Sequence, residues 1–373
     1  MIWVFWVALS LIAYTYAGYP FWLWSRGHVS PRPVLRGCNE PTVTAIMVVR
    51  NEEAVLTPKI ENLFSLDYPA ERLDLVIVSD GSTDSTPAIL KQFEHTGRLR
   101  AHLRKEAEGK ASGLNEAVQS AGGELVFFTD ARQYIEPGAL RCLVENFADD
   151  QVGAASGELM LGDPASGETE RGMGAYWRME KKVRELESAS GSVAGATGAI
   201  YCARRALLKP IPPDTILDDV LIPMQIVREG GRVIFDGRAR AWDSPDLGRS
   251  REFARKVRTL SGNYQLLQLA PWLLSAGNPI RFEFISHKLL RLLVPFALVA
   301  LLVSSASLSQ PFYRVFLIAQ LAFYALSLMA IVEINIGPLS RVADSARTFV
   351  VLNSAAVVAL ANFVTRRKVS WVR

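Results

Sequence analysis

Cysteine is scarce in this chain: Cys38, Cys142 and Cys202 are the only three in 373 residues. Their wide spacing shows neither a metal-ligand nor a redox pattern, which excludes a disulfide framework or zinc module and leaves free thiols in a reducing compartment. No G-x-G-x-x-G follows the first apolar strand and no G-x-x-x-x-G-K-[ST] occurs, so Rossmann dinucleotide binding and P-loop chemistry fall away. No sustained internal repeat or low-complexity tract is present, which excludes a solenoid. Charge is missing from residues 1–25. That run also lacks the basic amino-terminal region and the small-x-small cleavage site of a signal peptide, so it reads as a spanning helix with Trp3, Trp6, Trp22 and Trp24 as interface anchors.

Half of the chain is hydrophobic yet 21% is charged, so the apolar excess is localised rather than spread. Leu292–Tyr313, Val315–Val332 and Thr348–Thr365 are further runs at or near spanning length. Arg26, His28, Arg32 and Arg36 follow the first run and place the intervening block in the cytoplasm by the positive-inside bias. One plus three crossings would leave the carboxyl terminus outside, against Arg366, Arg367 and Lys368. Thr348–Thr365, with Asn353 and Asn362, is therefore the candidate for a re-entrant or interfacial segment. The net charge of +4 comes mostly from juxtamembrane Arg and Lys. It suits an anionic membrane surface or a phosphate-rich substrate and is no argument for nucleic acid.

Between Pro41 and about Gly262 apolar strands alternate with amphipathic helices. Strands are expected at Val43–Val49, Leu73–Ser79, Leu99–Leu103 and Leu125–Thr129, with helices near Glu53–Ser65, Thr83–Glu94, Lys110–Ser120 and Pro137–Phe147. This order gives an α/β class with a largely parallel sheet, whose ligand site lies at the carboxyl ends of the strands. Asp80 ends an apolar strand there, Lys110 opens a helix after Gly109 and can meet phosphate with its ammonium and the helix N–H groups, and Asp130 ends another strand. Simple capping by Asp80, Asp218 or Asp219, with Ser82 and Thr83 as further caps, and a solvated Lys110 are the plain alternatives.

Arg50-Asn51-Glu52-Glu53, then Leu66-Asp67-Tyr68-Pro69, Asp80-Gly81-Ser82-Thr83-Asp84, Gly109-Lys110-Ala111-Ser112-Gly113-Leu114-Asn115 and Thr129-Asp130-Ala131-Arg132 resemble, in this order, family-2 glycosyltransferases of the GT-A fold. The resemblance covers roughly 220 residues. It implies a nucleotide-sugar donor, a divalent cation and inversion at the anomeric carbon. Asp80 would then accept from a uracil N–H, with Glu52 lining the same pocket and Asn115 facing the nucleotide. Asp130 would hold Mg²⁺ or Mn²⁺ across the donor phosphates, although Arg132 replaces the second acid of the Asp-x-Asp element and could itself neutralise pyrophosphate. Gly191–Tyr201 matches an acceptor loop whose small residues let backbone approach a sugar, or make a tight turn. Asp219 matches the general base, and Asp218 would hold geometry or contact the acceptor. Arg258 matches the arginine that faces the diphosphate in processive members, whereas Arg255 and Thr259 replace the glutamine and tryptophan around it.

The expected organisation is a spanning helix at 1–25, a linker at 26–41, the GT-A domain at 42–262, interfacial helices at 263–288, a membrane region at 289–365 and a basic tail at 366–373. The expected function is an inverting transferase of a hexose or N-acetylhexosamine from a UDP-sugar. Its acceptor is a glycan or lipid-linked, reached among membrane lipids on the cytoplasmic face of the inner membrane of a multi-pass protein. A processive exopolysaccharide synthase and a non-catalytic membrane scaffold are the rivals; the absent tryptophan speaks against the first and the joint presence of Asp80, Asp130, Asp219 and Arg258 against the second.

Overall fold

The computed structural model describes residues 1–162, 175–243, 249–334 and 337–367. The basic tail expected from 366 lies outside the described residues from 368 onward. In chain order the main elements are α1 (Ile2–Val29), β1 (Val43–Val49), α2 (Glu53–Phe64), β2 (Leu73–Asp80), α3 (Thr86–Glu94), β3 (Leu99–Arg104), α4 (Lys110–Ser120), β4 (Leu125–Phe128), β5 (Tyr134–Ile135) and α5 (Ala139–Val144). They continue with β6 (Val152–Leu161), α6 (Ala175–Ser190), β7 (Tyr201–Arg204), α7 (Asp218–Arg228), β8 (Arg232–Asp243), α8 (Arg249–Leu269), α9 (Arg281–Ser307), α10 (Pro311–Ile331) and α11 (Ser340–Val364).

Eight strands form one sheet in the order β3-β2-β1-β4-β7-β6-β8-β5. β1 is buried along its whole length, as a continuous Val-rich run in the centre of a parallel sheet must be. Its residues alternate between two cores: Val43, Ala45, Met47 and Val49 meet Leu56, Ile60 and Leu63 of α2 on one face, while Ile46 and Val48 meet Ala111, Leu114 and Ala117 of α4 on the other. The β3-β2-β1-β4 half is parallel throughout. Beyond β4 the sheet is mixed, because β7 runs antiparallel to both β4 and β6. β6 and β8 are long strands that the sequence reading did not anticipate.

The division expected at 262/263 falls inside α8, which runs unbroken to Leu269. Charge drops there but no breaker occurs until Pro271, so the helix continues into the apolar stretch and only residues 271–274 form the expected short interfacial turn. Likewise the amino-terminal helix runs to Val29 rather than Ser25. α1, α9, α10 and α11 are each long and apolar enough to cross a membrane. Phe5 packs edge-on against Tyr313 and Phe316 with ring centroids 4.7 and 5.2 Å apart, tying α1 to α10. α11 is a continuous helix that also lies along α8 of the α/β block: Tyr264 stacks on Phe363 at 5.6 Å, and Arg347 acts on the Glu252 carboxylate from the other end.

Candidate active site

Because β2, β1 and β4 are parallel and in register, their carboxyl ends open on one side of the sheet. The chain leaves β1 through Asn51, whose φ of 54° is left-handed, and the Asn51 side chain steadies that turn by accepting from the Thr83 N–H at 2.8 Å. Gly81 follows Asp80 at φ +62°, where a methyl group would lie 2.6 Å from the Ala107 nitrogen. Only glycine lets the β2 end meet the 104–109 loop so closely.

That loop changes the assignment of Asp80. Its carboxylate is buried and accepts from the Glu108 and Gly109 N–H groups at 2.9 Å each and from Arg104 Nη1 at 3.3 Å. Asp80 therefore moors the segment that presents Lys110, rather than standing free for a base. Arg104 is held in turn by Glu116 of α4, with Nε 2.7 Å from Oε2. Neither Ser82 nor Thr83 caps α3: its N-cap position is Ser85, and Asp84 just before it accepts from the Thr86 N–H at 3.0 Å. Asn115 departs further from expectation. Its amide forms a reciprocal pair with the Ile211 backbone, donating to the carbonyl at 2.8 Å and accepting from the N–H at 3.0 Å, so it joins α4 to the 205–217 segment instead of facing a nucleotide.

Lys110 lies at the centre. Its Nζ is 3.0 Å from Asp130 Oδ1 and 3.2 Å from Asp218 Oδ2. Burial disfavours its charge, but Asp130, Asp218 and Asp219 together hold its pKa above the ordinary value. Asp130 remains 41% exposed at the mouth of the cleft, whereas Asp218 is 8% exposed, so the ammonium bridges an open acid and a buried one. Asp219, the next residue at the head of α7, is half-buried. Burial first, and the Asp218 charge second, push its carboxyl up to about 6, against the opposing pull of Lys110 and Lys288.

The Gly191–Tyr201 segment uses its small residues differently from expectation. Ala196 N–H donates to the Asp219 carbonyl at 2.7 Å, and a methyl group on Gly198 would lie 3.3 Å from Asp219 Oδ2. The close approach is to the Asp219 side chain. Tyr201 stacks on Phe128 at 4.2 Å, and its buried hydroxyl has no hydrogen-bond partner among the described residues although Asp218 and Asp219 act on it.

Glu52 and Arg132 pair across the strand ends at 3.3 Å. Arg132 is thus turned to Glu52. Arg258 is half-buried on α8 and forms no ion pair among the described residues, whereas Arg255 reaches Asp243 at 3.8 Å. Lys59 was not anticipated. It is 3% exposed beneath the Asp130 loop and donates to Thr129 Oγ1 at 2.9 Å and the Gln133 carbonyl at 2.6 Å. Burial, partly offset by Asp130, lowers its pKa to about 7. The signal was a lysine on the same stripe of α2 as Leu56, Ile60 and Leu63. A separate hollow of about 780 Å³, lined by Glu40, Arg72, Glu124 and Arg204 among others, lies at the amino ends of β1 and β4, away from these carboxylates.

Residues 44–211 match the model of glycosyl transferase family 2. The segment is similar to beta-monoglucosyldiacylglycerol synthase of Synechocystis sp., at 32% identity over 171 residues, 45% of this chain and 36% of that protein. It is similar also to poly-beta-1,6-N-acetyl-D-glucosamine synthase of Staphylococcus aureus (strain COL), at 20% identity over 229 residues, 60% of this chain and 55% of the relative. The match spans little more than a third to just over half of the length of these curated relatives. The solved structure of mannosyltransferase PcManGT from Pyrobaculum calidifontis, in complex with GDP-Man and Mn²⁺, shares the fold with a TM-score of 0.73 at 22% identity, over 98% of this chain and 100% of that one.

For a divalent cation, the matched segment offers one open acid. Among the described residues no group of three or more His, Cys, Asp or Glu could hold a metal ion. A Mg²⁺-type ion bound through one or two carboxylates and substrate phosphates is nevertheless a common arrangement. Asp130 fits it, because its second oxygen has no hydrogen-bond partner among the described residues and Lys110 can turn from Asp130 to phosphate.

Proposed function

We propose that the chain is an inverting glycosyltransferase that moves a hexose or N-acetylhexosamine from a UDP-sugar to a glycan or lipid-linked acceptor on the cytoplasmic face of a membrane. The observation that carries this reading is the Lys110 bridge, which sets the open acid Asp130 and the Asp218–Asp219 pair on opposite sides of one ammonium. An anion with two phosphates fits between them: Lys110 and the amino end of α4 meet the phosphates, and Asp130 faces the same group. A Mg²⁺ or Mn²⁺ ion held by Asp130 and donor oxygens would supply neutralisation of charge on the departing diphosphate.

Asp219 takes the acceptor proton. The acceptor oxygen then bonds to the anomeric carbon as the carbon–oxygen bond to the donor phosphate breaks on the opposite face, and the nucleoside diphosphate leaves. A carboxyl group raised to about 6 is a stronger base than an ordinary aspartate and is still ionised at neutral pH. Asp218, fixed by Lys110, holds this geometry. Asp80 acts through the loop it moors, Glu52 borders the cleft beside Arg132, and Arg258 is assigned to the donor diphosphate by its resemblance alone. The packing of α11 along α8 supports an interfacial α11. Three crossings by α1, α9 and α10 then agree with a cytoplasmic catalytic block.

Calorimetry on full-length protein in detergent tests the donor side. UDP with Mn²⁺ is expected to bind wild type, and Asp130→Asn to lose most of the metal-dependent increment while UDP alone is bound as before. A donor screen across UDP-, GDP- and dTDP-sugars names the base. Metal-independent UDP affinity in wild type would sink the cation assignment, and absence of any nucleotide binding would sink the function.

A further inference from the structure

α2 buries two polar side chains in an otherwise apolar stripe, Lys59 at 3% and Asn62 at 7% exposure, beside Leu56, Ile60 and Leu63. Both reach the segment that carries Asp130. Asn62 forms a reciprocal amide pair with Ile135 of β5, donating to its carbonyl at 2.9 Å and accepting from its N–H at 2.8 Å. Lys59 instead clamps the two ends of the 129–133 loop, donating to Thr129 Oγ1 at 2.9 Å and to the Gln133 carbonyl at 2.6 Å. An apolar side chain would fill the same stripe without a desolvation cost, so what Lys59 adds is this pair of directed bonds. Two N–H groups suffice for them. The ammonium and the neutral amine both possess two, and the clamp holds in either form.

The Thr129 hydroxyl is where the clamp meets the other half of the site. The β4–β7 ladder ends at Phe128 opposite Tyr201, and past that pair the two chains leave the sheet on separate paths, one to Asp130 and the other through the 196–200 turn. Thr129 Oγ1 spans the gap. It accepts from Lys59 and lies 3.0 Å from the Ala199 carbonyl, to which its single proton goes, the Asp130 carbonyl being farther at 3.4 Å. The turn itself is closed by the Ile200 N–H on the Thr197 carbonyl at 2.9 Å, and it is this turn that sets Gly198 against the Asp219 carboxylate. One buried hydroxyl thus stands between the loop of Asp130 and the backing of Asp219.

We propose that Lys59 is a positioning residue of the transfer site: through Thr129 it fixes the Asp130 loop on the donor side to the 196–200 turn that backs Asp219. The inference rests on the glycosyltransferase reading and adds to it a residue that touches neither donor nor acceptor. Lys59 takes and gives no proton.

The test titrates full-length protein in dodecyl maltoside with UDP, with and without Mn²⁺, by calorimetry. Lys59→Met and Thr129→Val are each expected to weaken the Mn²⁺-dependent increment in UDP affinity about tenfold, the size of one lost hydrogen bond, and Thr129→Ser to keep it. Because Lys59 acts through Thr129, the double variant should also lose about tenfold, not about a hundredfold. Asn62→Ala, which breaks the neighbouring pair at Ile135, should lower the melting temperature and leave the increment unchanged. Amide exchange read by mass spectrometry covers the other half without metal: Thr129→Val should speed exchange over residues 196–201, and Thr129→Ser should not.

An increment unchanged in Lys59→Met, a multiplicative loss in the double variant, or an equal loss in Asn62→Ala overturns the proposal and leaves Lys59 a plain anchor of α2. So does a wild type whose UDP affinity ignores Mn²⁺. Should Lys59→Met not fold, the Thr129 pair decides: equal increments and equal exchange in Thr129→Val and Thr129→Ser overturn it. A wild type that binds no UDP sinks the glycosyltransferase reading, and the exchange measurement still decides the joint; UDP binding with an increment that none of these variants moves sinks only the joint.

Discussion

Two clusters in this molecule each set one nitrogen-bearing side chain between two acids. At the strand ends Lys110 lies 3.0 and 3.2 Å from Asp130 and Asp218; at the membrane junction His287 lies 2.9 and 2.7 Å from Glu180 and Glu187. Solvent separates them. Asp130 is 41% exposed, so water, metal or phosphate can replace the ammonium, whereas Glu180 and Glu187 are 11% and 0% exposed and lie within the packing of α1, α6 and α9. Burial also sharpens the difference in chemistry. At the junction the cations outweigh burial and keep the Glu180 and Glu187 carboxyls below their ordinary range, while at the strand ends burial and Asp218 outweigh Lys110 and leave Asp219 raised to about 6. Near-identical geometry thus gives an exchangeable reactive pair in one place and a structural rivet in the other.

The largest effect that could break this contrast is at Asp219. Asp219→Asn is expected to cut sugar transfer by roughly 10²–10⁴-fold while keeping UDP affinity and melting temperature, and Asp218→Asn to cut it less. In wild type, turnover should rise as pH climbs through about 6, because the base works only when ionised and the raised carboxyl is protonated below that value. A pH profile of transfer alongside UDP binding checks both statements. Turnover that persists in Asp219→Asn would move the base elsewhere, and a flat profile between pH 5 and 7 would show that the strand-end cluster is as inert as the junction.

Next in size is His287. Its replacement by leucine leaves Glu180 and Glu187 buried with less compensation and should cost about 3–5 kcal/mol, read as a large fall in melting temperature. Lys110→Met, which unpairs a partly exposed cluster, should cost far less stability. Equal losses would erase the distinction.

The smallest expected effect separates mooring from binding. Asn115→Ala removes both hydrogen bonds to Ile211 and should cost about 1–3 kcal/mol of stability with UDP affinity unchanged in the folded protein. Loss of UDP affinity at full stability would return Asn115 to the nucleotide site.

Legibility in the sequence follows the same division. β1 and α4 fall on Val43–Val49 and Lys110–Ser120, the bounds read from periodicity, because each pairs a clear apolar period with a local stop. The four parallel strands lie in consecutive βα units whose signals are local. β6 and β8 are paired with each other and run 10 and 12 residues, yet mix Gly, Ser, Asp, Glu and Arg with apolar residues, so no alternation announced them. Arg232 in β8 shows why: it is buried by donating to the Gly191, Ser188 and Arg32 carbonyls, partners that lie 41, 44 and 200 residues away.

By itself the sequence determined the parallel half of the sheet, the apolar helices and the acids at the strand ends, since hydrophobic period, helix starts and strand stops act over a few residues. Tertiary structure alone decided what those acids and cations do. It gave Asp80 to backbone N–H groups, Asn115 to Ile211 and Lys110 to two carboxylates. Burial and the distance to an opposite charge set the behaviour of an ionisable group, and both arise only when segments far apart in the chain are packed together.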